Sequence, residues 1–294
     1  MLDAIIGGQN LTPDVIDWFQ NTLGSNPNPA AAGATQQANA DTGDAGSGPG
    51  KLGLIETDGL QDRQATVAGI YNRHGATIEA MAERAELGVA QVMAVIAQET
   101  GGHIDSTERM TIRFEVHKFR DGLDKADLDT FNAHFTYNSD KRWTGHKFNA
   151  IGEGKVTADG TPGQWRYVHP TGLAQNDQDI NWEAFEFASQ INPEAAARAI
   201  SMGPGQVLGS NHASVGYDSA VDMFDTLSDD TMLQFQAMMN FINSEPPIAS
   251  ALNDGDYDTF ATRYNGGGIG NYGSAIGAYV EAFEALAQDA AAQK

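Results

Sequence analysis

Apolar residues recur at spacings of three and four along residues 60–73, 76–86, 88–98, 229–243, 256–264 and 272–288, the period of helices that bury one face. Asn192-Pro193-Glu194, just ahead of AAARAI, adds a helix start with a capping side chain and a proline in the first turn. Between residues 103 and 180 the pattern changes. TIRFEVHKF, residues 111–119, alternates as a strand does, and WTGHKFNAIGEGKVTADGTPGQWRYVHPTG, residues 143–172, is rich in glycine and aromatics. The whole pattern predicts a mainly α domain with a small irregular lobe or β-hairpin, and no internal repeat stands out.

Ahead of that domain, LTPDVIDWFQNTL, residues 11–23, predicts a short helix. Thr12 caps it, Pro13 fits its first turn, Asp14 suits its positive end, and Ile16, Phe19 and Leu23 share one face. A helix this short is marginal alone in water, so its apolar face docks either on the main domain or on another protein. Residues 24–50 contain six glycines, three prolines and no aliphatic side chain larger than alanine, the composition of a flexible linker. The expected organisation is therefore an anchor helix over 1–23, a linker over 24–50 and the main domain over 51–294.

Composition adds exclusions. A chain of 294 residues, 41% hydrophobic, can bury an enzyme-sized core. Against 17 basic residues stand 39 acidic ones, and the formal net charge of −22 argues against nucleic-acid or membrane-surface binding. Acidity of this kind commonly serves solubility. The absence of cysteine removes disulfides, thiolate zinc sites and cysteine nucleophiles. The start, MLDAIIGGQNLTPD, has no basic region before its very short apolar run, so it does not read as a secretory signal. No run approaches the roughly 18 apolar residues of a membrane span.

Candidate chemistry begins at Glu99. The predicted helix over residues 87–98 turns Val89, Val92, Met93 and Ile96 toward a core, and Gly101 and Gly102 stop it just beyond Glu99. A helix C-terminus disfavours an ionised carboxylate and raises its pKa, and apolar walls would add to this. A carboxyl kept neutral near pH 7 suits a general acid that protonates a poor leaving group such as a glycosidic oxygen. Taken alone, the residue reads more simply as a glutamate at a solvated helix end.

Three other segments change the balance. Glu115 follows sixteen residues later, enough chain to set a second carboxylate across a cleft. AISMGPGQVLGSNH, residues 199–212, combines Gly203, Pro204 and Gly205 with Gln206 in a tight turn that brings amides close to a ligand. RYNGGGIGNYG, residues 263–273, places Tyr264 and Asn265 before a glycine run and Asn271 and Tyr272 after it. Tyrosine and asparagine there suit a hydroxyl-rich sugar, although an interhelical turn explains the glycines equally well.

The order ETGG, RFEVHKF, SMGPGQ with GSNH, then YNGGGIGNY resembles the peptidoglycan N-acetylmuramidase domain of phage endolysins and prophage proteins, in the lysozyme-like superfamily. That family usually reads E-S-G-G, F-E-x-H-x-F, S-W-G-L-F-Q with G-x-N-H, and Y-N-G with N-x-Y or N-Y, and the likeness spans roughly residues 60–288. It implies a lysozyme-like fold and cleavage of the β-1,4 bond between N-acetylmuramic acid and N-acetylglucosamine, without a cofactor. It puts Glu99 at the catalytic acid and Glu115 as a second catalytic group. Thr100, Gly101, His117, Gln206, Tyr264, Asn265 and Tyr272 become substrate contacts. Thr100 replaces the family's serine and keeps its hydroxyl. Met202, Pro204 and Gly205 stand in place of Trp, Leu and Phe, which alters the apolar wall, and residues 136–165 look expanded.

Other constellations are weaker. The seven histidines lack HExxH spacing, so no metal site is expected. GGGIG lacks the flanking strand and later acidic residue of a dinucleotide site. Ser201 has no nucleophile elbow, and the methionines of 232–239 read as core packing. Two alternatives stay beside the hydrolase: a lytic transglycosylase using the same acid, and a structural or wall-binding component of a phage particle with little catalysis. The expected partners are glycan strands and, through residues 1–23, a phage tail or injection-particle protein. Synthesis in the host cytoplasm and action on the wall are expected, either from a virion or as a released endolysin.

Overall fold

The apolar stretches over 60–73 and 76–86 lie on one helix, α1, which runs unbroken from Asp62 to Arg84. Gly75 is a crossing point. A Cβ there would lie 2.6 Å from the backbone nitrogen of Gly50, so only glycine lets residues 48–50 lie against the helix. Gly48 donates to the Arg73 carbonyl at 2.8 Å and accepts from the Ala76 amide at 3.2 Å. The chain then follows α1: Lys51 N donates to Glu79 at 2.9 Å, Leu52 N to the Tyr71 hydroxyl at 3.1 Å, and Ile55 N to Asn72 at 2.8 Å. The computed structural model describes residues 48–102, 104, 109–141, 145–168, 177–265 and 270–292. The expected helix over 11–23 and the linker through residue 47 lie outside them.

Helix α2, Val89–Thr100, buries Val92, Met93, Ala94, Val95, Ile96 and Ala97. Apolar on nearly every side, it belongs in the middle of a bundle, and it packs against α1 and the last helix, while α1 also packs against that helix. The described elements that follow are β1 (Ile112–Phe114), α3 (Val116–Asp121), α4 (Leu128–His134), β2 (Lys147–Phe148), β3 (Arg166–Tyr167), α5 (Gln178–Ile191), α6 (Pro193–Arg198), β4 (Ile200–Met202) and β5 (Val207–Leu208). Helices α7 (Ala220–Leu227), α8 (Thr231–Ser244), α9 (Pro246–Asn253), α10 (Tyr257–Asn265) and α11 (Tyr272–Ala292) complete the order. Helix α6 starts as its sequence predicts, with Asn192 accepting from the Ala195 amide and Pro193 in the first turn. Met238 and Met239 are core residues. The architecture is mainly α, as expected.

TIRFEVHKF is strand only over Ile112–Phe114. At Glu115 the chain turns into α3, because Val116 and Phe119, three apart, both enter the core as a helix allows. Strand β1 pairs antiparallel with β4, which pairs with β5. Helix α5 closes the other edge of β1. The Gln178 side chain accepts from Ile112 N and donates to Ile112 O, both at 2.9 Å, and Asn181 accepts from Phe114 N at 2.8 Å. Two amides one helical turn apart thus do the work of a missing strand.

The lobe is a small hairpin. Strands β2 and β3 pair with Lys147 opposite Tyr167 and Phe148 opposite Arg166. Phe148 turns inward, with ring centroids 5.0 Å from Phe135 and 5.4 Å from Phe187. Asn149 is also buried, its side chain accepting from the Ile151 and Gly152 amides while its carbonyl accepts from His134 Nδ1 at 2.9 Å. A polar residue therefore holds the base of a glycine-rich loop. Among the described residues no helix is long and apolar enough to cross a membrane.

Candidate active site

Helix α2 ends in the sequence Glu99-Thr100-Gly101, and each residue has a separate task. Gly101 takes the left-handed conformation with φ 57°, which stops the helix without cost to a side chain. Thr100 Oγ1 donates to the Ile96 carbonyl at 2.8 Å and accepts from Gly102 N at 3.1 Å, closing the last turn on itself. With the turn so fixed, Glu99 points inward and is 4% exposed.

Tyr272, the first residue of α11 and 1% exposed, donates its hydroxyl to Glu99 Oε1 at 2.5 Å. Glu99 Oε2 is buried with no hydrogen-bond partner among the described residues. Burial in apolar surroundings pushes the Glu99 carboxyl up to about 7, with the Tyr272 hydrogen bond acting in the opposite sense. The predicted direction of the shift is correct, and its main cause is desolvation. A carboxyl so raised can hold or give up a proton near neutral pH, with one oxygen held by Tyr272 and the other without a partner among the described residues.

An aromatic ladder backs this pair. Phe260 and Tyr264, four apart on α10, stack with ring centroids 5.2 Å apart and planes 8° from parallel, and Tyr272 lies 6.5 Å from Tyr264. Burial and the negative charge of Glu99 raise the Tyr264 hydroxyl well above 10, so it stays neutral. Three predicted residues, Glu99, Tyr264 and Tyr272, are thereby brought together from α2, α10 and α11. Asn265 ends α10, but its side chain lies outside the described residues.

Glu115 and His117 form a second cluster at the β1–α3 corner, each 1% exposed. Arg113 Nε lies 2.8 Å from Glu115 Oε1, and His117 Nδ1 lies 3.6 Å from Oε2. The sequence reading missed Arg113. Its signal was available, since residues two apart in a strand face the same side. The arrangement compensates a buried carboxylate and fixes the corner.

Gln206 closes the turn between β4 and β5 with φ 47°, an unusual conformation for a residue with a side chain. Its Nε2 donates to the Gly203 carbonyl at 2.8 Å, while its buried Oε1 has no partner among the described residues. A Cβ at Gly205 would meet Met238 at 2.5 Å, so the turn lies tight against α8. Gln206 thus holds a buried acceptor in a rigid turn. Gln178 and Asn181 are further structural residues that the sequence reading passed over, because nothing local shows that their amides reach a strand.

Comparison with known proteins gives a family and a fold. The family described as Muramidase, N-acetylmuramidase, matches residues 88–281, from the start of α2 into α11. The crystal structure of Burkholderia AP3 phage endolysin is similar in fold, with a TM-score of 0.51, 20% identity and coverage of 78% of this chain and 75% of that chain. At that identity the likeness shows a shared fold alone. No match to a curated protein is found.

Proposed function

This chain belongs to the N-acetylmuramidase family and is a peptidoglycan hydrolase, and on that premise we propose that it cleaves the β-1,4 bond between N-acetylmuramic acid and N-acetylglucosamine with Glu99 as the general acid. One observation carries the reading: a buried carboxyl raised to about 7, with Tyr272 on one oxygen and the other uncommitted. Glu99 gives its proton to the glycosidic oxygen as the bond breaks, and positive charge develops on the muramic ring as an oxocarbenium-like transition state. The Glu99 carboxylate left behind stabilises that charge. Attack by water then completes hydrolysis. Gln206 braces the β4–β5 turn through its bond to Gly203, and Thr100 and Gly101 keep the helix end that holds the acid.

A second outcome is favoured by Glu115. Its carboxylate already faces Arg113 and His117, which supports a positioning role at the β1–α3 corner over that of a base poised on water. With Glu99 as the one working carboxyl, the muramic acid's own 6-hydroxyl becomes the competing nucleophile, giving a lytic transglycosylase.

Digestion of purified sacculi by the wild type and by Glu99→Gln, with mass spectrometry of the products, tests both outcomes. Reducing ends identify hydrolysis and 1,6-anhydro ends identify transglycosylation. Loss of turnover by at least about a hundredfold is expected in Glu99→Gln, and substantial remaining activity in a folded mutant would sink the assignment. The setting we favour is phage-driven lysis, with residues 1–23 tethering the enzyme to a particle protein. Pull-down with a 1–50 fragment against particle proteins examines the tether, and recovery of none counts against it.

A further inference from the structure

The negative charge of this protein is unevenly spread. Residues 141–168 hold five basic residues, Lys141, Arg142, Lys147, Lys155 and Arg166, against two acidic ones, Glu153 and Asp159, in a chain whose net charge is −22. Asp159 is engaged within its own turn by Thr157 and by the Thr161 amide. Arg166 is paired with Glu183 of α5. Lys141, Lys147 and Lys155 have no ion-pair partner among the described residues. In a molecule with such an excess of carboxylates, a lobe where basic residues outnumber acidic ones is a local reversal of sign, even with Asp140 directly before Lys141 and Glu153 two residues before Lys155.

The same hairpin is rigid behind and open in front. Phe148 is 1% exposed and locked among aromatic rings, so the face opposite it is fixed by the pleat. On that outer face Lys147 stands directly across from Tyr167, with its Nζ 4.5 Å from the ring centroid. Tyr167 is 49% exposed, one of few large apolar side chains so placed. An aromatic ring that carries a cation without a partner presents a flat surface and a positive charge together, suited to a carboxylate on a short chain.

We propose that the β2–β3 lobe is a second wall-contact surface, which binds the carboxylates of the peptide stems attached to the glycan through Lys147, Tyr167 and Lys155. The inference rests on the peptidoglycan reading above and adds to it a partner chemistry outside the acid's own cluster. Charge complementarity carries it. The bulk of the protein is repelled by an anionic wall, whereas this lobe is drawn to it, so the lobe also orients the enzyme during encounter. Glycan strands stripped of peptide carry no such carboxylates, and the lobe gains nothing from them.

The test uses the full chain with Glu99→Gln as a non-cleaving background. Retention on sacculi is measured with and without K147E/K155E, and with the neutral pair K147Q/K155Q. On peptide-bearing sacculi the charge reversal should lower retention by about tenfold at low salt, the neutral pair should lose less, and the difference should vanish at about 1 M salt. On glycan strands freed of their stems by an amidase and immobilised on a support, all three proteins should bind alike. Equal retention of all three on peptide-bearing sacculi would overturn the proposal. So would a loss that persists on stripped glycan, which would assign the lysines to the sugar, or one that disappears when wall phosphate polymers are extracted, which would assign them to phosphate. Melting midpoints within about 2 °C of the background show that the variants are folded, and the neutral pair keeps the comparison informative if the reversal unfolds the hairpin. Turnover of the same sacculi by the wild type reports separately on the hydrolase reading.

Discussion

Glu99 loses its proton as pH rises through about 7, so an enzyme that relies on it as a general acid loses turnover on the alkaline side of that value. The Tyr272 hydrogen bond favours the ionised form, so Tyr272→Phe should move this alkaline limb to higher pH. A pH–rate profile reads the shift; lost activity with an unmoved limb would instead assign Tyr272 to substrate contact. The same proton governs stability. The folded protein holds it up to about 7, while the unfolded chain releases it near 4.5. Glu99's contribution is therefore fully present below about 4.5 and is lost as pH rises to about 7, a change on the order of 3 kcal/mol. Glu99→Gln has no such proton, so its melting midpoint relative to the wild type should climb across that window. A flat difference would mean that the acid is not desolvated.

At the scale of elements, the sheet that carries Glu115 depends on α5. Gln178 supplies both a donor and an acceptor to Ile112, and Asn181 an acceptor to Phe114. Truncating either leaves buried backbone groups unsatisfied. Gln178→Ala and Asn181→Ala are each expected to cost about 1–3 kcal/mol in urea unfolding. Losses near zero would show that water replaces the amides and that the edge of β1 is open to solvent. Helices α1, α2 and α11 bury their shared faces independently of this edge, so the damage should centre on the lobe and the β1–α3 corner.

For the whole molecule, we propose that the main domain starts at or before residue 48, inside the glycine-rich stretch. Residues 48–55 are hydrogen-bonded to Arg73, Ala76, Glu79, Tyr71 and Asn72 along α1. A chain beginning at residue 48 should match the full chain in melting midpoint and in turnover of dissolved glycan fragments. One beginning at residue 56 should lose about 2 kcal/mol or more, since Asn72 alone exchanges two hydrogen bonds with Ile55. Differential scanning calorimetry on the two truncations checks this, and equal midpoints would place the boundary later.

The hydrophobic period determined most of the helices and the helical class, because burial of an apolar stripe is a local property of the chain. It also determined that a glutamate closes α2, with the glycines needed to stop the helix there. The role of Gly75 was not legible, since a sequence does not distinguish a glycine that ends a helix from one that admits a crossing strand of backbone. Glu115 was legible as a candidate, and its engagement by Arg113 was within reach of the strand alternation. What only the tertiary structure decided is which carboxyl is desolvated. Tyr272 reaches Glu99 across 173 residues, and the apolar surroundings that hold the acid neutral come from three helices at once. Desolvation belongs to the assembled core, and no segment of the sequence carries it alone.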